Sequence, residues 1–209
     1  MPAIDRRRIL SLLGGAAFAL SDRTAQARDG GGAGNWQYRG FAADWPATSR
    51  PANFDEVEAS LKHQIDIAAD CGAAVRVIDF FRSQKIVLTS GSEGGGHYAG
   101  GAIGLNAEVQ PAQKPILLHE MLHAYHHQVL PQGTRNPEIL RFYDRARDGG
   151  FYPPDAYVLR NVKEFFAVTA SLYLWGNVDR PPFKRDVLRA KQPVYYKWLG
   201  DEFGVEKPA

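Results

Sequence analysis

Apolar residues recur at the three- and four-residue spacing of an amphipathic helix through most of the second half of the chain. The same spacing occurs earlier, over residues 53–71, where Val57, Leu61 and Ile65 share one face and Gly72 ends the pattern. Proline and glycine residues separate the later helices. These are predicted over residues 114–129, 137–147, 160–175, 183–191 and 193–203.

Short runs of β-branched and aromatic residues lie between the first helix and the helical half. They predict strands over residues 74–81, 85–89 and 102–109. Between the last two, residues 90–101 (SGSEGGGHYAGG) predict a glycine-rich loop. A helix, a small mixed or antiparallel sheet and then mainly helices indicate an α+β fold.

Residues 1–27 have a different pattern, which is typical of an export signal. Arg6, Arg7 and Arg8 precede an uncharged apolar stretch, residues 9–20, and the Ala-Gln-Ala of residues 25–27 fits a small-residue cleavage site. This apolar stretch is shorter than the roughly 20 residues that span a bilayer. The paired arginines resemble a twin-arginine signal, with an ordinary secretory signal or an uncleaved anchor as alternatives.

The chain is therefore predicted to contain an export signal (1–27), a flexible glycine-rich segment (28–34) and a single domain (35–209). We expect a bacterial periplasmic or secreted protein with no stable membrane insertion after cleavage. The whole chain has 25 Lys and Arg, 23 Asp and Glu, and a net charge of +2. The signal holds four arginines and two aspartates, so 21 charges of each sign remain.

A domain of zero net charge lacks the clustered cationic excess that phosphate binding requires, so nucleic acid is excluded as a main partner. The single cysteine, Cys71, excludes a disulfide framework and a thiolate-rich zinc site. We expect Cys71 to be a small buried apolar residue.

The chemistry of the domain centres on the HExxH sequence His119-Glu120-Met121-Leu122-His123 in a predicted helix. Residues four apart on a helix differ by only about 40° in direction and about 6 Å in rise, so both imidazoles can reach one metal ion. Glu120 projects at a neighbouring angle, where it can accept a proton from water. This is the pattern of a zinc hydrolase with the glutamate as general base.

Such a site needs a third protein ligand, and Glu164 is the strongest candidate. The chain between His123 and Glu164 is long enough to return on a second helix, and the apolar surroundings of Glu164 make an unpaired carboxylate costly. His126 lies about 10 Å along the helix from His119, too far to share the ion. We therefore assign His126 and His127 to the cleft wall or the surface. Four other acidic residues rank lower than Glu164: Glu138, Asp144, Asp148 and Asp155.

Taken together, HEMLH, Tyr157, Asn161 and the E-F-F-A stretch that begins at Glu164 resemble the gluzincin peptidases of the anthrax lethal factor and Pro-Pro endopeptidase type. The resemblance covers residues 97–173. It implies a zincin-like fold, Glu164 as third zinc ligand and Tyr157 as a residue that assists catalysis. Val168 departs from the pattern, because the thermolysin branch has an aspartate there, and substrate preference does not transfer.

The expected function is that of an exported zinc metallopeptidase with one Zn²⁺ held by His119, His123 and Glu164. Glu120 and Tyr157 are its catalytic residues, and a peptide or protein is its substrate. The alternatives are a non-catalytic zinc-binding or partner-binding module on the same scaffold, and a structural domain in which HExxH is fortuitous.

Two further features bear on the cleft. The strand over residues 102–109 could form a sheet edge that pairs with extended substrate. The glycine-rich loop with His97 and Tyr98 is either a flap over the cleft or a mobile surface loop.

Overall fold

The computed structural model describes residues 34–46, 50–91 and 94–208. The predicted export signal lies outside these residues. The five strands are β1 (Gly34–Tyr38), β2 (Phe41–Trp45), β3 (Ile86–Thr89), β4 (Gly96–Ala99) and β5 (Ala102–Asn106). The seven α-helices are α1 (Phe54–Ala69), α2 (Val75–Ser83), α3 (Ile116–Gln128), α4 (Pro137–Asp148), α5 (Val162–Trp175), α6 (Arg185–Lys191) and α7 (Pro193–Phe203).

The strands form one mixed sheet in the order β1-β2-β3-β5-β4. The outer pairs β1–β2 and β4–β5 are antiparallel, whereas β3 is parallel to both of its neighbours. The predicted α+β class with a small sheet and a mainly helical second half is confirmed in this form. The strand over residues 102–109 was wrongly expected at an edge, because β5 lies between β3 and β4.

The prediction of a strand over residues 74–81 is wrong, since residues 75–83 form α2. Val77, Ile78 and Phe81 are buried, and they fall on one helical face. Their spacing of one, three and four residues is that of a helix, and the alternation that a half-buried strand requires is absent. High β-propensity was overridden by this pattern of burial.

Two parts of the sheet were not predicted. β1 and β2 form a hairpin whose two turn residues, Arg39 and Gly40, both have positive φ, as a type I′ turn requires. β4 lies inside the stretch predicted as a glycine-rich loop, and its backbone pairs with β5 from Gly96 to Ala99. A strand that is held by backbone pairing at a sheet edge needs few apolar side chains.

Helices α3 and α5 pack against each other, and α3 also contacts β4 and β5. The expected core aromatics Tyr173, Tyr195 and Tyr196 are buried, while Trp175 and Trp198 are half-buried. Cys71 is buried, as predicted. Within the described ranges, no helix is long and apolar enough to cross a bilayer. The helix pair α3 and α5 therefore lies beside the edge strand β4, and this position determines where the candidate site forms.

Candidate metal centre

Helix α3 places His119 and His123 one turn apart on the same face. The helix begins directly after Pro115, and its apolar residues Leu117, Leu118 and Met121 are fully buried. Burial of that face fixes the rotation of α3, so the two imidazoles point towards α5. Their ring centroids are 4.7 Å apart, and the rings are perpendicular.

Helix α5 brings Glu164 to the same place, because its start is fixed by Asn161. The Asn161 side-chain oxygen accepts hydrogen bonds from the backbone N–H of Lys163 (2.9 Å) and of Glu164 (3.0 Å). This cap places Glu164 in the first turn, near the positive end of the helix dipole, which stabilises its carboxylate. The sequence showed Asn161 as part of a motif, but its role as the cap that positions Glu164 emerges from the structure.

Three side-chain atoms converge. His123 Nε2 lies 3.1 Å from His119 Nε2, and Glu164 Oε2 lies 3.2 Å and 3.3 Å from the same two nitrogens. A tetrahedral zinc ion with ligands at 2.0–2.1 Å spaces them about 3.3 Å apart, so the triangle fits zinc. Within the described part of the chain, this is the group of at least three metal-ligating residues that could hold an ion.

The Glu164 carboxylate is the part of the site that most needs a cation. Burial alone would raise its pKa, but the histidines His119 and His123 hold the pKa of Glu164 well below its ordinary value. Glu164 Oε2 is buried, and among the described residues no donor reaches it with good hydrogen-bond geometry, although both Nε2 atoms lie within 3.3 Å. A buried anionic oxygen facing two ring nitrogens is costly unless a positive charge lies between them.

Glu120 lies beside this triangle in a different environment. It is 7% exposed, and burial raises its pKa, while His119 and His123 act in the opposite direction. Edge strand β4 approaches it closely: a Cβ added at Gly96 would lie 3.1 Å from Glu120 Cγ. Glycine at that position therefore lets the strand edge lie against the helix that carries the site.

Tyr157 enters from a 3₁₀ turn, Tyr157–Leu159, just before α5. It is half-buried. Burial raises its pKa, and the negative charge of Glu164 raises it further, so its phenol stays protonated at neutral pH. A raised pKa makes the hydroxyl a hydrogen-bond donor and not an anion. All five residues predicted for the site, His119, Glu120, His123, Tyr157 and Glu164, thus lie around one cleft.

The cleft consists of two cavities that share Gly96, His119, Glu120 and Tyr157. One, of about 490 Å³, extends past the N-terminal end of β4 towards Arg160 and Arg180. The other, of about 560 Å³, extends past the C-terminal end of β4 and is lined by residues that include Tyr98, His127, Lys163 and Glu164. An extended chain lying along β4 would therefore cross Glu120 and the histidine–glutamate triangle.

The remaining histidines lie outside the triangle. The His126 ring is fully buried against Phe166, with ring centroids 4.8 Å apart. His127 is exposed, and its Nδ1 lies 2.9 Å from the Tyr98 hydroxyl. The His97 ring packs over Gly104, and strand alternation places it on the face of the sheet opposite Gly96 and Glu120.

The lower-ranked carboxylates also lie elsewhere. Glu138 accepts a hydrogen bond from Trp198 Nε1 (2.7 Å), and Asp144 and Asp148 pair with Arg147. Asp155 is exposed in the loop before the 3₁₀ turn. None of the four belongs to the triangle, among the residues that the structure describes. Arg160 and Arg180, which line the cleft, were not singled out from the sequence.

The chain matches no protein-family profile and no curated protein. Among solved structures, it is similar to the Pro-Pro endopeptidase (PPEP-2) from Paenibacillus alvei, with 19% sequence identity and a TM-score of 0.51. The match covers 77% of this chain and 97% of that chain. At this level of identity, the similarity concerns the fold, a mixed sheet packed with helices.

Proposed function

We propose that the protein is an exported zinc metallopeptidase of the gluzincin type, with a zincin-like single domain over residues 35–209. The observation that carries this proposal is the convergence of His119, His123 and Glu164, with spacings of 3.1–3.3 Å and an unpartnered buried carboxylate oxygen. The similarity in fold to a Pro-Pro endopeptidase supports peptide-bond hydrolysis as the reaction.

The metal would be held by the two Nε2 atoms and by Glu164 Oε2, which leaves a tetrahedral ion one open position. A zinc ion there supplies Lewis acidity, which lowers the pKa of water and polarises a carbonyl. The imidazoles must be neutral to act as ligands, and the Glu164 carboxylate must be ionised, a state that the charge of the metal would favour.

Glu120 moves the proton. Its carboxylate accepts a proton from the attacking water and delivers it to the amine that leaves. Burial raises its pKa above that of an ordinary glutamate, which makes its carboxylate a stronger base. Because Glu120 follows His119 directly, it stays close to the metal without being one of the three converging groups.

Tyr157 binds the carbonyl oxygen on the other side of the cleft. Its protonated hydroxyl donates a hydrogen bond to that oxygen as negative charge develops during attack. The 3₁₀ turn fixes the backbone that carries Tyr157: Arg160 N donates to Tyr157 O (3.0 Å) and Leu159 N to Ala156 O (2.8 Å). The substrate is therefore a peptide or protein segment that can lie extended across the site.

Two measurements test this function. Purified mature protein should contain zinc at about one equivalent, and a peptide library should be cleaved by the wild type but not by Glu120→Gln. Protein without zinc would refute both zinc functions. Zinc-loaded protein that cleaves nothing would favour the non-catalytic binding module, and cleavage unaffected by Glu120→Gln would refute the mechanism.

The proposal includes export, by the twin-arginine route, to the periplasm or the medium. It depends on the arginines and apolar stretch of residues 1–27. Replacing both Arg7 and Arg8 with lysine should keep the protein in the cytoplasm, detected by fractionation and by the mass of the mature N-terminus. Unchanged export would indicate an ordinary secretory signal.

A further inference from the structure

One end of the cleft, which we call the arginine end, is lined by charged side chains that the mechanism above does not use. It is the 490 Å³ cavity beyond the N-terminal end of β4, and it also contains His119, Glu120 and Tyr157. Besides Glu120, its charged residues are Lys114, Arg160, Arg180, Glu108 and Asp179.

The position of Arg180 is fixed by the loop between α5 and α6. Asn177 and Lys184 form a bridge across the base of the loop, and Val178 N donates to Phe183 O at 3.0 Å. The loop is also tied to the start of α3, because Lys114 Nζ lies 2.7 Å from Asp179 Oδ2. These contacts hold Arg180 at the cleft without help from a ligand.

Two guanidinium groups converge on the ring of Tyr157. The Arg180 Cζ atom lies 4.4 Å from the ring centroid, and the Arg160 Cζ atom lies 5.8 Å from it. Arg180 contacts Asp179 through Nε at 3.3 Å, so its paired Nη groups are not used in that contact. A planar guanidinium group that stacks on an aromatic ring is preorganised to bind a carboxylate, because the carboxylate can accept a hydrogen bond from each Nη.

The charges at this end are unevenly distributed, because the carboxylates have other partners near the cavity. Asp179 pairs with Lys114 at 2.7 Å as well as with Arg180, so one carboxylate is shared by two cations. Glu108 accepts a hydrogen bond from Asn106 Nδ2 at 3.0 Å. With Glu120 included, three cations and three anions line this cavity, and the positive charge is concentrated where the two guanidinium groups lie over the ring of Tyr157.

We infer that the arginine end is a subsite for a carboxylate of the substrate, which Arg160 and Arg180 bind within one or two residues of the bond that is cleaved. This inference rests on the proposed peptidase function. The carboxylate can belong to an aspartate or glutamate side chain, or to the C-terminus of a short peptide. Both have the same charge and the same fork geometry.

The test compares matched peptides on zinc-loaded protein. One set carries Asp or Glu at each of three positions on either side of the cleaved bond, against Asn or Gln, with an amidated C-terminus. A second set is neutral, with a free or amidated C-terminus. We expect one position, or the free C-terminus, to raise kcat/KM about tenfold or more, since net hydrogen bonds to charged groups reach that size.

Substitutions then assign the effect to the arginines. Arg180→Gln and Arg160→Gln should each remove most of the acidic preference, and Arg180→Glu should reverse it in favour of lysine. Arg189→Gln is the control with the same change in charge, because Arg189 is exposed on α6 and lines neither cavity. Binding of the same peptides to Glu120→Gln, followed by fluorescence anisotropy, gives a readout independent of turnover.

The outcomes separate the two proposals. If cleavage depends on Glu120 but acidic and amide peptides react alike, the peptidase function stands and the carboxylate subsite is wrong. The subsite is also wrong if the preference survives in both arginine variants. If the wild type cleaves no peptide and Glu120→Gln binds none, the proposed function fails, and the subsite fails with it.

Discussion

Helix α3 carries four histidines, and the two nearer its N-terminus, His119 and His123, have surroundings quite different from those of His126 and His127. The first pair faces a buried carboxylate, Glu164, whose oxygen lies 3.2 Å and 3.3 Å from their Nε2 atoms. His126 faces the Phe166 ring, and His127 faces the Tyr98 hydroxyl.

The difference lies in what the second helix presents. Glu164 and Phe166 are two residues apart on α5. Glu164 faces His119 and His123, and Phe166 faces His126. Where α5 presents a carboxylate, the histidines have a shared anionic neighbour. Where it presents an apolar ring, neither nitrogen of His126 has a hydrogen-bond partner in the described part of the chain. The same residue type thus lies either in a group that could hold a metal ion or against an apolar ring, according to what α5 presents.

Replacing a proposed ligand has the largest expected effect, and it tests the difference between the two pairs of histidines. His123→Ala should lower zinc affinity by more than about 100-fold and abolish activity, because even changes outside the ligand set cost 10- to 100-fold. His126→Leu, three residues further along the same helix, should keep about one equivalent of zinc. Metal analysis after dialysis against a weak chelator measures both variants. Zinc loss in His126→Leu, with retention in His123→Ala, would mean that the wrong histidine was chosen as ligand.

Each pair of histidines has a tyrosine nearby, and replacing these two tyrosines tests the same difference. Tyr157→Phe should lower kcat about 100-fold with little change in KM, since it removes a donor to the developing oxyanion. Tyr98→Phe removes the partner of His127 and should change kcat only a few-fold. Steady-state kinetics on one peptide, with zinc content checked, compares them. Equal losses of kcat would show that Tyr98 also acts in catalysis.

Burial of His126 should make the stability of the protein depend on pH. Burial, followed by the charges of His123, His127 and Lys163, lowers the pKa of His126 to about 4 from 6.5. Between these two pH values the unfolded state binds more protons than the folded state. The contribution of neutral His126 to the free energy of unfolding is therefore fully present above pH 6.5 and is lost as the pH decreases towards 4. Between pH 7 and pH 5, this one group should cost about 2 kcal/mol.

In His126→Leu, that part of the acid loss should be absent. Urea unfolding of zinc-free wild type and variant at pH 7 and pH 5 isolates it, because the other histidines are common to both proteins. A variant with the same acid loss as the wild type would show that His126 does not titrate in this way.

The smallest effect belongs to His127. His127→Ala removes an exposed contact with Tyr98, so it should lower the free energy of unfolding by less than about 1 kcal/mol. The Tyr98 hydroxyl keeps a second partner, because Gln128 Nε2 donates to it at 2.9 Å. Thermal unfolding of zinc-loaded protein measures this. A loss clearly larger than one exposed hydrogen bond contributes would place His127 among the structural residues.

Much of the candidate site could be predicted because residues close together in the sequence determine it. Four-residue spacing on a helix set His119 and His123 together, and apolar surroundings indicated that Glu164 needed a counter-charge. Helix ends were correct to within about two residues at α3 and α5. In both helices, a proline or an asparagine in the sequence fixes where the backbone begins to turn.

What the sequence did not show depends on contacts between distant segments. Arg180 lies over Tyr157 in a loop that is tied to Lys114, a residue far earlier in the chain, before α3. Strand β4 is held by backbone pairing and reads as a flexible glycine stretch. In α2, β-branched and aromatic residues favoured a strand, and burial of Val77, Ile78 and Phe81 on one face favoured a helix.

Phe203, the last aromatic residue of α7, bears on the order in which contacts can form during synthesis. Phe203 is fully buried and packs against Tyr125 of α3 (5.7 Å) and Phe166 of α5 (6.4 Å). Every residue of the metal centre precedes it in the chain. During synthesis the candidate ligands therefore emerge before Phe203, which contacts both of their helices. The nascent chain therefore presents two histidines and a glutamate before this aromatic contact to both helices can form.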